Sequence, residues 1–315
     1  MTHDAIVLSG LDGSNPLAFL AALGVLRTLS RAWPEAEVRM AWVGQPAGWR
    51  PALSSRTAVT EADVLATLDA ELRRVGASQA LSFADDLAIT PGQFRQFALQ
   101  AMDSTDAGDD QDRRVALEFA AAFACDALAT EQGNVQDTAL RTMSGAGHQH
   151  FLRSMLQIID ATSADHLRKA LFELWRYDDA VAGQTLRWDP ADDSRYALQW
   201  RNPSGDPSRQ QVGGMLGANR LAIEGLPLVT SAPVGRRLAT TGFTGSRADN
   251  TAWTWPIWCW PASVDTCRSL LGYRQLLDQP VDVAALREVG ICAAFRSRRI
   301  TVGKFRNFTP ATAVL

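Results

Sequence analysis

Few residues in this chain could do chemistry. Two of its four histidines form the pair His148-Gln-His150, set behind the turn Ser144-Gly-Ala-Gly147. On a strand both rings would face one side, where a carboxylate from elsewhere would complete a metal site. The local pattern instead predicts a helix over about 148–159, on which residues two apart diverge by about 200°, and that defeats joint coordination. His148 and His150 then stand at a helix mouth whose free amides suit an anion or a phosphate. A second glycine-rich turn, Gly213-Gly-Met-Leu-Gly217, precedes Asn219 and Arg220. It lacks the lysine of a nucleotide-binding loop, so it reads first as a flexible entry to a helix over 218–225 and second as a phosphate cradle.

Two arginine-bearing segments are candidates for a nucleic-acid or partner surface. In Arg187-Trp188-Asp189-Pro190, followed by Arg195-Tyr196, a guanidinium can hold a phosphate or carboxylate by two parallel hydrogen bonds. The neighbouring Trp188 and Tyr196 can stack on bases. The competing reading is an internal Arg187–Asp189 brace. Residues 295–308 carry Arg296, Arg298, Arg299, Lys304 and Arg306 with three phenylalanines and no acid. Alternation about Gly303 predicts two short strands joined by a turn, with arginines on one face and aromatics on the other. The alternative is an edge strand guarded by charge against aggregation.

Charge distribution favours the second segment. Residues 1–229 hold 20 basic and 29 acidic side chains, whereas residues 230–315 hold 11 and 5, so phosphate contacts belong in the C-terminal third. The overall pI of about 5.8 argues against tight autonomous binding to duplex, which rests on positive charge meeting phosphate. There is no G-x-x-x-x-G-K-[ST] loop, no G-x-S-x-G elbow and no H-E-x-x-H helix. Cys125, Cys259, Cys267 and Cys292 lie far apart with no C-x-x-C spacing, which predicts free thiols in a reducing compartment and no zinc site. No cofactor or metal is expected.

The elements that position these residues read as an α+β chain. Helices fill the middle, and short, mostly antiparallel strands lie at the N-terminus and in the C-terminal half. With 46% hydrophobic and 21% charged residues, 315 residues can form one compact domain, or two packed subdomains, 1–135 helix-rich and 136–315 mixed and tryptophan-rich. Ala5–Leu8 predicts a strand. Gly10-Leu-Asp-Gly-Ser-Asn15 then predicts a turn and helix cap, and Pro16 is suited to a first helical position, where an amide has no internal partner. From Leu17 to Leu29 apolar residues fall on nearly every face, so that helix must be buried.

Further strands are predicted near 38–43, 185–188 and 196–200. Helices are predicted from Thr60 to about Val75, from Thr90-Pro91 to Met102, over about 113–129 and 163–175, and near 264–277. Asp85-Asp86 reads as a solvated acidic pair and 130–137 as a polar loop. Trp253-Thr-Trp-Pro-Ile-Trp-Cys-Trp260 predicts a strand broken at Pro256. No run of eighteen apolar residues is present, and the first residues lack the pattern of a secretory leader, so the expected location is cytoplasmic without membrane attachment.

The N-terminal pattern Gly10-Leu11, Gly13, Pro16-Leu17, Phe19-Leu20, Ala22-Leu23-Gly24, Leu26-Arg27 resembles that of CRISPR-associated proteins encoded with type I-G (formerly I-U) effector modules. It is shared by the large subunit of those complexes and by a smaller accessory family described as an extension of the helicase-nuclease. The resemblance continues through residues 144–150, Leu186–Pro190 with Ser194-Arg-Tyr196, Gly217–Gly225 and Trp255–Trp258, and the chain's length fits the accessory family better. It implies a non-catalytic role in antiviral interference, with effector subunits or the helicase-nuclease as partners and DNA or crRNA within reach. Two other readings are a reduced large-subunit-like protein contacting the protospacer-adjacent duplex, and a hydrolase or nuclease using His148 or His150 with Asp178 or Asp189.

Overall fold

The computed structural model describes residues 5–76, 79–103, 110–143, 150–180, 185–192, 213–245, 251–302 and 305–315. Their centre is helix α1 (Pro16–Ala32), from which every residue between Pro16 and Leu29 is buried. Asn15 caps it, its Oδ1 accepting from the amides of Leu17 at 2.9 Å and Ala18 at 3.3 Å, and Pro16 occupies the first turn as expected. A helix apolar on all sides needs partners on all sides. Helix α8 (Leu216–Gly225), itself wholly buried, crosses it on one side. On another, Phe19 meets the rings of Trp42, Trp253, Trp255 and Trp258, with centroids 5.6–6.3 Å away.

Those tryptophans come from two antiparallel sheets. The first has order β1-β3-β2, with β1 Ile6–Val7, β2 Arg39–Gln45 and β3 Gly48–Ser54. The second runs β10-β11-β12-β13, from β10 (Phe243–Thr244), β11 (Thr251–Trp258), β12 (Ile291–Val302) and β13 (Phe305–Phe308), with β14 (Thr312–Ala313) also pairing β12. Strand β11 is not broken at Pro256. Pro256 pairs with Ala294, and the register shift comes one residue later, between Ile257 and Trp258. The Thr254 amide donates to Gly242 O on the β10 side; Pro256, two residues on, faces that same side beyond the end of β10, where no strand among the described residues asks for its missing donor. Trp253, Trp255 and Trp258 are buried and Trp260 is 37% exposed.

The remaining helices surround this centre: α2 (Glu61–Gly76), α3 (Gln79–Ser82), α4 (Pro91–Asp103), α5 (Asp110–Phe123), α6 (Phe151–Ala161), α7 (Ala164–Phe172), α9 (Val264–Leu271) and α10 (Val283–Glu288). The start signals at Thr60 and Thr90 act as anticipated, since each threonine exchanges hydrogen bonds with the residue three ahead, Asp63 or Gln93.

Further expectations require correction. The helix expected over 113–129 stops at Phe123, and β4 (Ala124–Ala129) pairs with β5 (Val135–Asp137), because the Glu131-Gln-Gly133-Asn turn folds the chain back on itself. Residues 185–188 form no strand and lead instead into a 3-10 turn at Pro190–Asp192; residues 196–200 lie outside the described residues. The segment Gly48–Ser54 is a strand that alternation did not reveal. Cys259 and Cys292 form a disulfide joining the end of β11 to β12, leaving Cys125 and Cys267 free. Their 33-residue separation hid the pair, since antiparallel pairing of the strands they flank is what brings the two together. No described helix is long and apolar enough to cross a membrane.

Candidate functional site

The turn before α1 builds one wall of a cleft. The Asp12 carboxylate accepts from the Ser14 amide and hydroxyl, both at 2.9 Å, and lies 3.4 Å from Arg50. Asn15 reaches in two directions: while its oxygen caps α1, its Nδ2 donates to Asp189 Oδ1 at 3.2 Å, and that same oxygen accepts from the Ala191 amide. Gly10 packs so close to the end of α7 that a Cβ there would sit 2.4 Å from Ala170 O, and Gly13 O accepts from Trp255 Nε1 at 2.8 Å. Around this turn Leu174, Trp175, Tyr177 and Pro310 close a cleft of about 630 Å³ that presents Asp12, Ser14, Asn15 and Arg50. Leu174, 85% exposed, stands on its rim. Apolar walls with a few convergent polar groups suit a chain segment or a small organic ligand.

Several segments singled out in the sequence converge elsewhere, on residues 138–143. Thr142 Oγ1 donates to Leu186 O at 2.7 Å, and Trp188 Nε1 donates to Leu140 O at 2.9 Å. The Leu186 amide donates to Asn219 Oδ1 at 3.2 Å. Arg187, held at φ 57°, reaches Asn307 Oδ1 at 3.2 Å. Arg299 donates to Ala139 O at 2.6 Å, and the Arg306 amide to Thr142 O at 3.0 Å.

This convergence is a brace, which corrects the expectation of a presented surface. Trp188, Asn219 and Arg299 are buried. Burial, with Arg306 alongside, lowers the Arg299 guanidinium to about 10. Arg296 is half-buried against Thr254 Oγ1 and Leu276 O. Of the basic segment's described arginines, only Arg298 is exposed. The hairpin about Gly303 forms, but arginines and aromatics do not divide between its faces: buried Arg299 pairs directly with buried Phe308. Arg195, His148 and Lys304 lie outside the described residues.

The expected anion sites at helix mouths are filled by the protein's own side chains. His150 stands at the N-cap of α6 without a side-chain cap bond, and the Phe151 amide donates to Asp86 Oδ2 at 3.1 Å. Asp86, expected to be solvated, is buried there and pairs with Arg141. At α8 the Leu216 amide donates to Asp179 Oδ2 at 2.8 Å, and a Cβ on Gly217 would lie 2.0 Å from His166 O, so that turn is packed shut. Burial raises the Asp179 carboxyl above its ordinary range. Among the described residues no group of three His, Cys, Asp or Glu side chains could hold a metal ion.

Arg220 is not an anion ligand but one member of a buried ion network. Its Nη1 donates to Glu224 Oε1 at 3.0 Å and its Nη2 to Leu72 O at 2.7 Å. Arg27 donates to Glu224 Oε2 at 2.9 Å, and through Nε and Nη2 to Glu118 Oε2 at 3.0 and 2.7 Å. Arg268 joins Glu118 from α9 at 3.1 Å. Burial opposes ionisation of Glu224, yet Arg220, Arg27 and Arg31 together hold its carboxyl below the ordinary range; Glu118 is lowered in the same way by Arg27 and Arg268. Burial lowers Arg220 in turn. Arg27, the one charged residue between Leu17 and Leu29, was the sequence signal for this network, because an unpaired charge could not be buried there.

No protein-family model matches this chain, and neither the curated proteins nor the solved structures contain a match to it.

Proposed function

We propose that the chain is a non-catalytic accessory component of a type I-G CRISPR interference system, acting in the cytoplasm and assisting the effector complex or its helicase-nuclease in handling target DNA. One observation carries this reading: the described segments of the resemblance assemble around α1. The turn Gly10–Asn15 touches Leu186–Pro190 through the Asn15–Asp189 hydrogen bond and Trp255 through Gly13 O. Leu186 bonds Asn219, and α1 crosses α8 at Gly24 and Gly225. Residues that match a common pattern for the sake of one shared architecture should behave in this way.

The cleft beside the turn is the surface assigned to the partner protein. Its rim leucine has no packing role, and its aromatic and polar lining suits an inserted chain segment. The test is co-expression with type I-G effector subunits and, separately, with the helicase-nuclease, followed by size-exclusion chromatography with crRNA and target DNA present. Comigration with one of them is expected, and Leu174→Glu should abolish it without altering the fold. Failure to associate with either under all conditions would overturn the reading.

A further inference from the structure

A second cavity, of about 560 Å³, lies where the end of α1 meets α5 and the first turn of α9. Four arginines line it, Arg27, Arg31, Arg114 and Arg268, against two acids, Glu118 and Asp265. Like charges around one space repel unless each is answered by an anion. Three of the four are answered. Arg27 spans Glu224 and Glu118, Arg268 donates to Glu118 at 3.1 Å and to Asp265 at 3.5 Å, and Arg114 lies 3.5 Å from Glu118.

Arg31 differs from these. Its three guanidinium nitrogens are buried, and none of them finds a hydrogen-bond acceptor among the described residues. Two carboxylates stand beside it, Glu71 at 3.9 Å and Glu224 at 4.0 Å, but their hydrogen bonds come from other arginines. Arg74 donates to Glu71 at 3.1 Å, while Arg220 and Arg27 donate to Glu224 at 3.0 and 2.9 Å. Ser30 Oγ, from the same wall of the cavity, is likewise buried without a hydrogen-bond partner. Burial, and then Arg27 alongside, lowers the Arg31 guanidinium from its ordinary value. Its place in the last turn of α1 suits a cation, because the helix dipole is negative there. That accounts for the charge but leaves five donors unspent, where a buried guanidinium normally spends them.

We propose that this cavity binds a phosphate group, with Arg31 as its central ligand, Ser30 as a neutral donor and Arg114 and Arg268 at its mouth. A phosphate carries up to two charges and several acceptor oxygens, so it can take a bidentate pair from one guanidinium and still draw a second. The cavity is also large enough for the organic part of a phosphate ester, to which Pro34, Val115 and Val264 offer apolar walls. This site is separate from the cleft at Gly10–Asn15 and does not depend on the accessory role.

The test is isothermal titration of the full chain with inorganic phosphate and, separately, with adenosine 5′-monophosphate, in about 150 mM sodium chloride so that exposed charges are screened alike. Saturable binding is expected, with Arg31→Gln at least tenfold weaker and Arg114→Gln, altered at a position 75% exposed, weakened less. Tighter binding of the monophosphate assigns the site to phosphate esters, and equal affinity assigns it to free phosphate. Arg31→Gln removes a buried charge that no hydrogen bond holds, so it should fold; Arg114→Gln carries the test if it does not. The proposal is overturned by no saturable binding of either probe up to about 5 mM, by affinities unchanged in both variants, or by acetate binding as tightly as phosphate.

Discussion

Gly24 and Gly225 let α1 and α8 cross in backbone contact. A Cβ on Gly24 would lie 1.9 Å from Leu221 O, and one on Gly225 would lie 2.3 Å from Leu20 O. Neither obstacle is a flexible side chain, so a single methyl group must push two buried helices apart. Gly24→Ala should therefore cost about 3 kcal/mol, a large share of a typical domain's stability. Gly92→Ala in α4, where only Thr90 Oγ1 comes within 4.0 Å, should be neutral or slightly stabilising. Denaturant midpoints of the two variants make the comparison, and equal midpoints would show that the crossing is not tight.

The charges beside that crossing predict acid sensitivity. Glu224 and Glu118 titrate below their ordinary value when folded, so their contribution is complete above about pH 4.3 and disappears as pH falls through the folded values. Stability should drop steeply below about pH 4.3. Glu224→Gln should lose about 3–5 kcal/mol at pH 7, because Arg27 and Arg220 keep buried charge without its counter-ion. Urea unfolding between pH 3 and 7 should also find a flatter acid limb in the variant.

Adjacent arginines in β12 should separate stability from surface chemistry. Arg299→Ala removes a buried donor from Ala139 O and should destabilise by about 1–3 kcal/mol. Arg298→Ala, at an exposed position, should leave the melting temperature unchanged. Loss of stability in both would mean that Arg298 is also part of the brace.

Thiol labelling tests the cross-strand disulfide. The native protein should accept one alkylating label, at half-exposed Cys125, because Cys259 and Cys292 are paired and burial both shields the Cys267 thiol and raises its pKa. Reduction should lower stability by about 2–4 kcal/mol, and Cys259→Ser/Cys292→Ser should no longer respond to reductant. Three labels on the untreated chain would show the pair open. Disulfides persist in oxidising surroundings, so the same count on freshly lysed cells also tests the cytoplasmic placement.

Sequence alone determined the elements whose signals are local. Asn15-Pro16 and the all-round apolar run specified a buried α1; Thr60 and Thr90 marked two helix starts; alternation about Gly303 specified the β12–β13 hairpin. Each depends on residues within a turn or two of one another, where capping, fixed φ and side-chain period act directly. Tertiary structure decided what the charged and polar residues do. Arg299 finds Ala139 O 160 residues away, Arg27 finds Glu224 197 residues away, and Asp86 caps a helix 65 residues further along the chain. An arginine destined for a carbonyl in the core and one destined for phosphate are the same letter in the same pattern. Only packing tells them apart, because burial makes a distant partner obligatory while exposure leaves the guanidinium to water or to a ligand.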